Sequence, residues 1–155
     1  MSEFAVPRAA VPARLLLTEG ESRPGHVFVM ERVPQRVGPE TPLEMLNREE
    51  GFFAFRPTVG DVLFIAKANT VALEVDVSAM GGDAERLSAA RTASLEVVLT
   101  GGASLTGWAR FELPAQHSRL LDYLNATREP FFAVSTDSAT HLVNRAHVLY
   151  ARPVD

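Results

Sequence analysis

The chain has 155 residues, 46% of them apolar and 22% charged, with a net charge of −4; this balance belongs to a folded globular protein and excludes a disordered or membrane-embedded one. The absence of cysteine excludes disulfides, thiolate catalysis and cysteine-ligated zinc. Neither half of the chain carries the basic excess on which a protein relying on phosphate contacts depends.

Residues 1–12 hold Pro7 and Pro12 among small side chains and read as a flexible N-terminal arm. Glu3 and the prolines interrupt any signal-peptide core, and no apolar run reaches bilayer length, so a cytoplasmic protein with no membrane partner is expected. A first unit follows over residues 13–77. Residues 13–18 form an aliphatic run of strand length, closed by a turn at Gly20 and answered by a second strand over 24–31. Gly25 stands near the start of that second strand, where glycine permits a bend or the close approach of another backbone. Thr41-Pro42-Leu43-Glu44 has the cap, the first-turn proline and the acid of a capping box, and predicts a short helix ending at Asn47, in a position suited to a left-handed residue. Three more strands are expected over 51–55, 61–67 and 69–76.

Residues 78–92 read as a linker, with Gly81-Gly82 and a helical stretch of about two turns. The second unit, residues 93–155, repeats the first: strands at 94–100 and 105–112 with Gly107 early in the second, a helix capped by Ser118 and ending at Asn125, then strands at 130–134, 140–145 and 147–152. The repetition is visible in the letters. Phe64-Ile65-Ala66-Lys67-Ala68-Asn69 and Leu142-Val143-Asn144-Arg145-Ala146-His147 stand 78 positions apart, as do Leu46-Asn47 and Leu124-Asn125, while Phe52-Phe53-Ala54 answers to Phe131-Phe132-Ala133. A match that keeps its order through both halves indicates a duplicated unit. Units of about 60 to 65 residues are marginal alone and gain stability by packing together, so one compact pseudo-dimer is expected.

Five bent strands per unit, an early glycine in the second strand and an apolar-cation-small-amide corner between the fourth and fifth resemble the Sm-like fold of Sm, LSm and Hfq-type proteins. Leu95 to Gly102 with Leu105-Thr106-Gly107 is similar to that family's opening hairpin. The corners Lys67-Ala68-Asn69 and Arg145-Ala146-His147 resemble its Arg-Gly-Asn type motif. The resemblance covers about two-thirds of the chain. It implies an all-β fold with short helical insertions, two tandem five-stranded Sm-like or SH3-like barrels, and RNA contact at Lys67 with Asn69 and at Arg145 with His147. The family's base-contacting Asp and Asn between the second and third strands have no counterpart, and its motif glycine is Ala68 or Ala146 here.

The corner cations also have a purely structural reading, in which each ties carbonyls and holds a turn. Trp108, the sole tryptophan, shares a strand face with Arg110, which suggests a binding surface or burial between the units. No nucleophile elbow, Walker loop or nucleotide fingerprint is present, and the histidines follow no ligand spacing, so no catalytic residue, cofactor or metal is assigned. The reading that follows is a non-catalytic interaction or adaptor module with a protein partner, and Lys67, Asn69, Arg145, His147, Trp108 and Arg110 as candidate binding residues. An RNA-binding ring of three chains is the alternative, and an enzyme gathering His117, His141 and Asp137 between the units is a second one.

Overall fold

A computed structural model describes residues 8–33, 38–80, 91–111, 120–126 and 128–154. The strands are β1 (Arg8–Leu17), β2 (Ser22–Met30), β3 (Phe52–Pro57), β4 (Leu63–Ala66) and β5 (Thr70–Asp76), then β6 (Arg91–Leu99), β7 (Ser104–Phe111), β8 (Phe131–Ser135), β9 (Ala139–Asn144) and β10 (Val148–Pro153). Helix α1 (Pro42–Leu46) lies between β2 and β3, and α2 (Leu120–Ala126) between β7 and β8. All ten strands are antiparallel neighbours in one sheet, in the order β10-β6-β7-β8-β9-β5-β1-β2-β3-β4. The expected all-β architecture with short helices is present; its strands join in a single open sheet, not in two sheets separately closed by hydrogen bonds.

Both halves use the same internal order. The fifth strand pairs with the first, and the first to fourth follow in sequence, so β5-β1-β2-β3-β4 and β10-β6-β7-β8-β9 are copies. The copies meet where β5, the fifth strand of the first half, pairs with β9, the fourth of the second, through Ala72↔Val143, Leu73↔Leu142, Glu74↔His141 and Val75↔Thr140. The pseudo-dimer is therefore continuous through its backbone ladder. Two apolar cores flank this joint and exchange residues across it. Phe131 and Leu142 of the second half pack with Leu15, Val27, Phe55 and Leu73, while Val71 and Ala72 of the first half pack with Leu95, Val97, Phe132 and Val134.

Residues 8–12, expected in the flexible arm, belong instead to β1, where Arg8 pairs with Met30 and Pro12 with His26. Pro12 is tolerated because β5 joins β1 only from Ala13 onward, so the proline withholds its missing donor from no second neighbour. Residues 1–7, most of the expected linker (81–90) and the cap Ser118 lie outside the described residues. The two strand glycines do admit close approach. A Cβ on Gly25 would stand 2.3 Å from the Arg56 carbonyl oxygen, and one on Gly107 2.3 Å from that of Ser135.

Helix α1 starts as its letters require. The Glu44 N–H donates to Thr41 Oγ1 at 3.1 Å and the Thr41 N–H to Glu44 Oε1 at 2.8 Å, with Pro42 at the first position. Pro42, Met45 and Leu46 are buried. The helix does not end in a left-handed residue: Asn47 has φ −89°, and no described residue other than glycine has positive φ. Asn47 serves a different purpose, described below.

Candidate functional site

The two repeated corners are 3-10 turns, Lys67–Asn69 between β4 and β5 and Arg145–His147 between β9 and β10. Each is anchored by its first N–H to the loop before the third strand, Lys67 to Gly51 O at 2.8 Å and Arg145 to Pro130 O at 2.9 Å. Each cation then turns back onto the helix of its own half. The Lys67 ammonium donates to Met45 O at 3.2 Å and Arg48 O at 3.0 Å, and Arg145 Nη2 donates to Leu124 O at 2.5 Å. Leu124 O belongs to the last turn of α2, where a helix leaves acceptors without an intrahelical donor, whereas Met45 O also accepts the Arg48 N–H at 3.3 Å and Arg48 O lies just past the end of α1. Lys67 is buried, and burial holds its ammonium below the ordinary lysine range, with Glu50 and Glu40 opposing that shift and Arg48 adding to it.

The corners also touch one another. His147 Nε2 lies 2.6 Å from Ala68 O, the geometry of an imidazole N–H donating to that carbonyl. Asn144, buried beside it, donates from Nδ2 to Lys67 O at 3.1 Å and Thr70 O at 3.0 Å, and accepts the Ala146 N–H at 2.9 Å. One side chain thus satisfies both corners. Further along the joint Asn47 acts as a clasp: Phe131 N–H donates to its Oδ1 at 2.9 Å, while its Nδ2 donates to Phe131 O at 3.2 Å and Glu129 Oε2 at 2.6 Å. His141 faces Glu74 across the ladder at 3.9 Å, and burial holds its imidazole below the ordinary histidine range, with Glu74 opposing.

Of the candidate residues, Lys67 and Arg145 therefore turn back onto their own halves and His147 reaches across the joint, each of the three meeting backbone carbonyls. Asn69 is exposed, and its carbonyl accepts the Thr18 N–H. Trp108 is half-buried and Arg110 exposed on β7, with Ser94 and Ser135 as the ladder neighbours of Trp108 and Thr92 that of Arg110. β8 separates them from β9 in the sheet, so the ladder between the halves does not include the indole. Of the histidine-based alternative, His141 lies in β9 opposite Glu74 and Asp137 is exposed in the turn before it, while His117 is outside the described residues. No group of three or more metal-ligating side chains occurs among the described residues.

Sequence reasoning did not single out Asn144, Glu129 or the Glu40–Arg48 pair. Glu40 is buried, accepts the Met30 N–H at 3.1 Å and meets Arg48 Nε at 3.0 Å, which joins the end of β2 to the end of α1. A signal for Asn144 was present: it replaces Ala66 at the one position where the otherwise matched corners change from small to polar.

What remains open for binding is the rim of the sheet. In the first half an open hollow of about 420 Å³ lies beside Met45, Arg48, Phe52, Phe53, Phe64 and Lys67. Phe52 and Phe64 are 63% and 78% exposed there. Among the described residues no helix is long and apolar enough to cross a membrane. Compared with protein-family models, with curated proteins and with solved structures, the chain matches none.

Proposed function

We propose that this chain is a non-catalytic interaction module, two fused Sm-like units that present free sheet edges to a protein partner. The Sm-like assignment is supported by the identical strand order of the two halves, by the corner between their fourth and fifth strands and by the glycine-permitted crossing early in each second strand. On that reading each half curls into a small barrel, with its helix covering one end.

The observation that carries the interaction role is the pair of sheet edges that no strand among the described residues covers. β4 ends the sheet on one side and β10 on the other, and both bear apolar side chains in water: Phe64 on β4, and Leu149 and Tyr150 on β10. Unpaired edges are liabilities that proteins ordinarily blunt with charge or cover, and a strand added from a partner satisfies them. RNA binding at the corners draws less support, because the Lys67 and Arg145 side chains are engaged with helix carbonyls.

A photo-crosslinking amino acid introduced at position 64 or 149 tests the reading. Covalent protein adducts are expected from both edges and not from position 110 on β7. Labelling at position 110 with none at either edge would remove the proposal.

A further inference from the structure

Resting on the reading of the chain as an interaction module, we propose that the hollow in the first half is the seat of an acidic segment of the partner protein, one carboxylate beside one large apolar side chain. Cations at its floor and bare rings at its wall set those two requirements separately.

The hollow, about 420 Å³, opens where the outer face of the sheet meets the end of α1. Alternation along the strands builds its wall. Val27 and Val29 point into the core and leave Phe28 outward; Phe53 and Phe55 do the same for Ala54, and Ile65 for Phe64. The Phe28 ring is half-buried and already carries the Arg56 guanidinium 5.4 Å from its centre. Phe52 and Phe64 are bare to water, and an apolar side chain laid against them gains by covering both.

The charges run against those of the molecule. Arg8, Arg48 and Lys67 line the hollow against a single carboxylate, Glu50, in a chain whose net charge is −4. Glu50 is exposed and reaches Arg48 Nη1 only at 3.4 Å. Arg48 Nε lies 3.0 Å from Glu40 Oε2, yet this buried nitrogen makes no aligned hydrogen bond. Arg8 is exposed and has no ion-pair partner among the described residues. Lys67 is nine-tenths buried, and of its three ammonium hydrogens Met45 O and Arg48 O take two. No acceptor among the described residues takes the third. A carboxylate entering the hollow answers that hydrogen and offsets the cost of burying the charge.

This island of charge suits one or two carboxylates. A nucleic-acid strand calls for a row of cations along its phosphates, and the acidic remainder of the chain does not extend one. Inorganic phosphate has no use for the rings. Nor is the arrangement a demand of the fold: in the repeat, Ala126 stands for Arg48 and Arg110 for Phe28, while Phe131, the match of Phe52, is buried in the core. The hollow also adjoins β4, the last strand of the sheet, so a segment laid along that edge turns alternate side chains toward it.

Titration of the full, isotope-labelled chain followed by its amide resonances tests the assignment with three probes: a blocked peptide alternating aspartate and phenylalanine, the same peptide with asparagine for aspartate, and oligo(U). The aspartate peptide should shift the Phe52, Phe64 and Lys67 amides with a Kd on the order of 100 μM. The asparagine peptide should bind about tenfold more weakly, the loss of a charge-assisted hydrogen bond. Phe64→Ala should weaken the aspartate peptide about fivefold and Arg8→Gln about threefold. Both positions are exposed, so the circular dichroism spectrum should not change, and Leu149→Ala on the far edge should leave affinity as it was. Equal binding of the two peptides, shifts confined to residues outside the hollow, no binding at millimolar peptide, or tighter binding of oligo(U) at the same amides would overturn the proposal. Protein adducts at positions 64 and 149 with a silent titration would leave the edges as docking surfaces and remove only the acidic segment; a positive titration without adducts would do the reverse.

Discussion

A lysine or arginine that looks like a ligand-binding cation can equally well be a fastener, and the deciding fact is where its donors end. Lys67 and Arg145 both end on carbonyls at or just past the C-terminus of a short helix, so the positive charge answers backbone acceptors within the fold. Their presence at a corner was legible from the repeat; their partners were not, because those carbonyls come from residues about twenty positions upstream. Asn47 is the reverse case. Its place at a helix end suggested backbone conformation, but its side chain is what matters, since it bridges to Phe131 in the other half. At Gly107 the letter was informative by itself. A methyl group there would meet a backbone oxygen at 2.3 Å, which no rotamer change can relieve. Gly107→Ala is expected to cost about 3 kcal/mol of stability, as overpacking a close strand crossing does, and a urea titration against the parent chain measures it.

Every strand was legible from apolar runs between turn residues, but β6 began three residues before the reading of the sequence placed it, inside the expected linker, and β1 five residues before. For β1 the reason is that a strand with a partner on only one side tolerates proline, so Pro12 marked no boundary. Helix α1 was legible because its capping box is local in sequence. The ladder between β5 and β9 is a different matter, since it joins segments about seventy residues apart and its pairs carry no local signature. His141 gives that ladder a measurable pH dependence. Burial lowers its folded pKa below the ordinary value, with Glu74 at 3.9 Å the facing group that opposes. The unfolded chain therefore takes up the proton first: the contribution is fully present above the ordinary histidine pKa of about 6.5 and is lost as pH falls through the folded value. Urea midpoints from pH 7.5 down to pH 5 should fall further for the parent chain than for His141→Gln; equal falls would show that this imidazole is not the group responsible.

For the whole molecule, duplication produces a consequence that neither half has alone. Joining the fifth strand of one half to the fourth of the other leaves one fourth and one fifth strand at the ends of the sheet, and there Phe64, Leu149 and Tyr150 are exposed. The acidic balance and the engaged cations bear on the RNA alternative at the same scale. Filter binding with oligo(U) and oligo(A) across a salt series should show no salt-dependent retention at micromolar protein. Retention that falls with salt and is abolished in a Lys67→Met, Arg145→Met double variant would return RNA to first place, since phosphate contacts release counterions.

The sequence by itself determined the all-β class, the ten strands, the capped first helix and the repeat, because each of these is written in residues adjacent or nearly adjacent along the chain. Only the tertiary structure decided that the halves share one open sheet, that Asn144 and His147 stitch the two corners together, and that Phe52 and Phe64 stand uncovered while Phe131 and Leu142 do not. Matched apolar positions of the repeat acquire opposite exposure in the two copies because burial depends on which strand lies alongside. That neighbour is chosen by contacts between distant segments, and no short stretch of sequence names it.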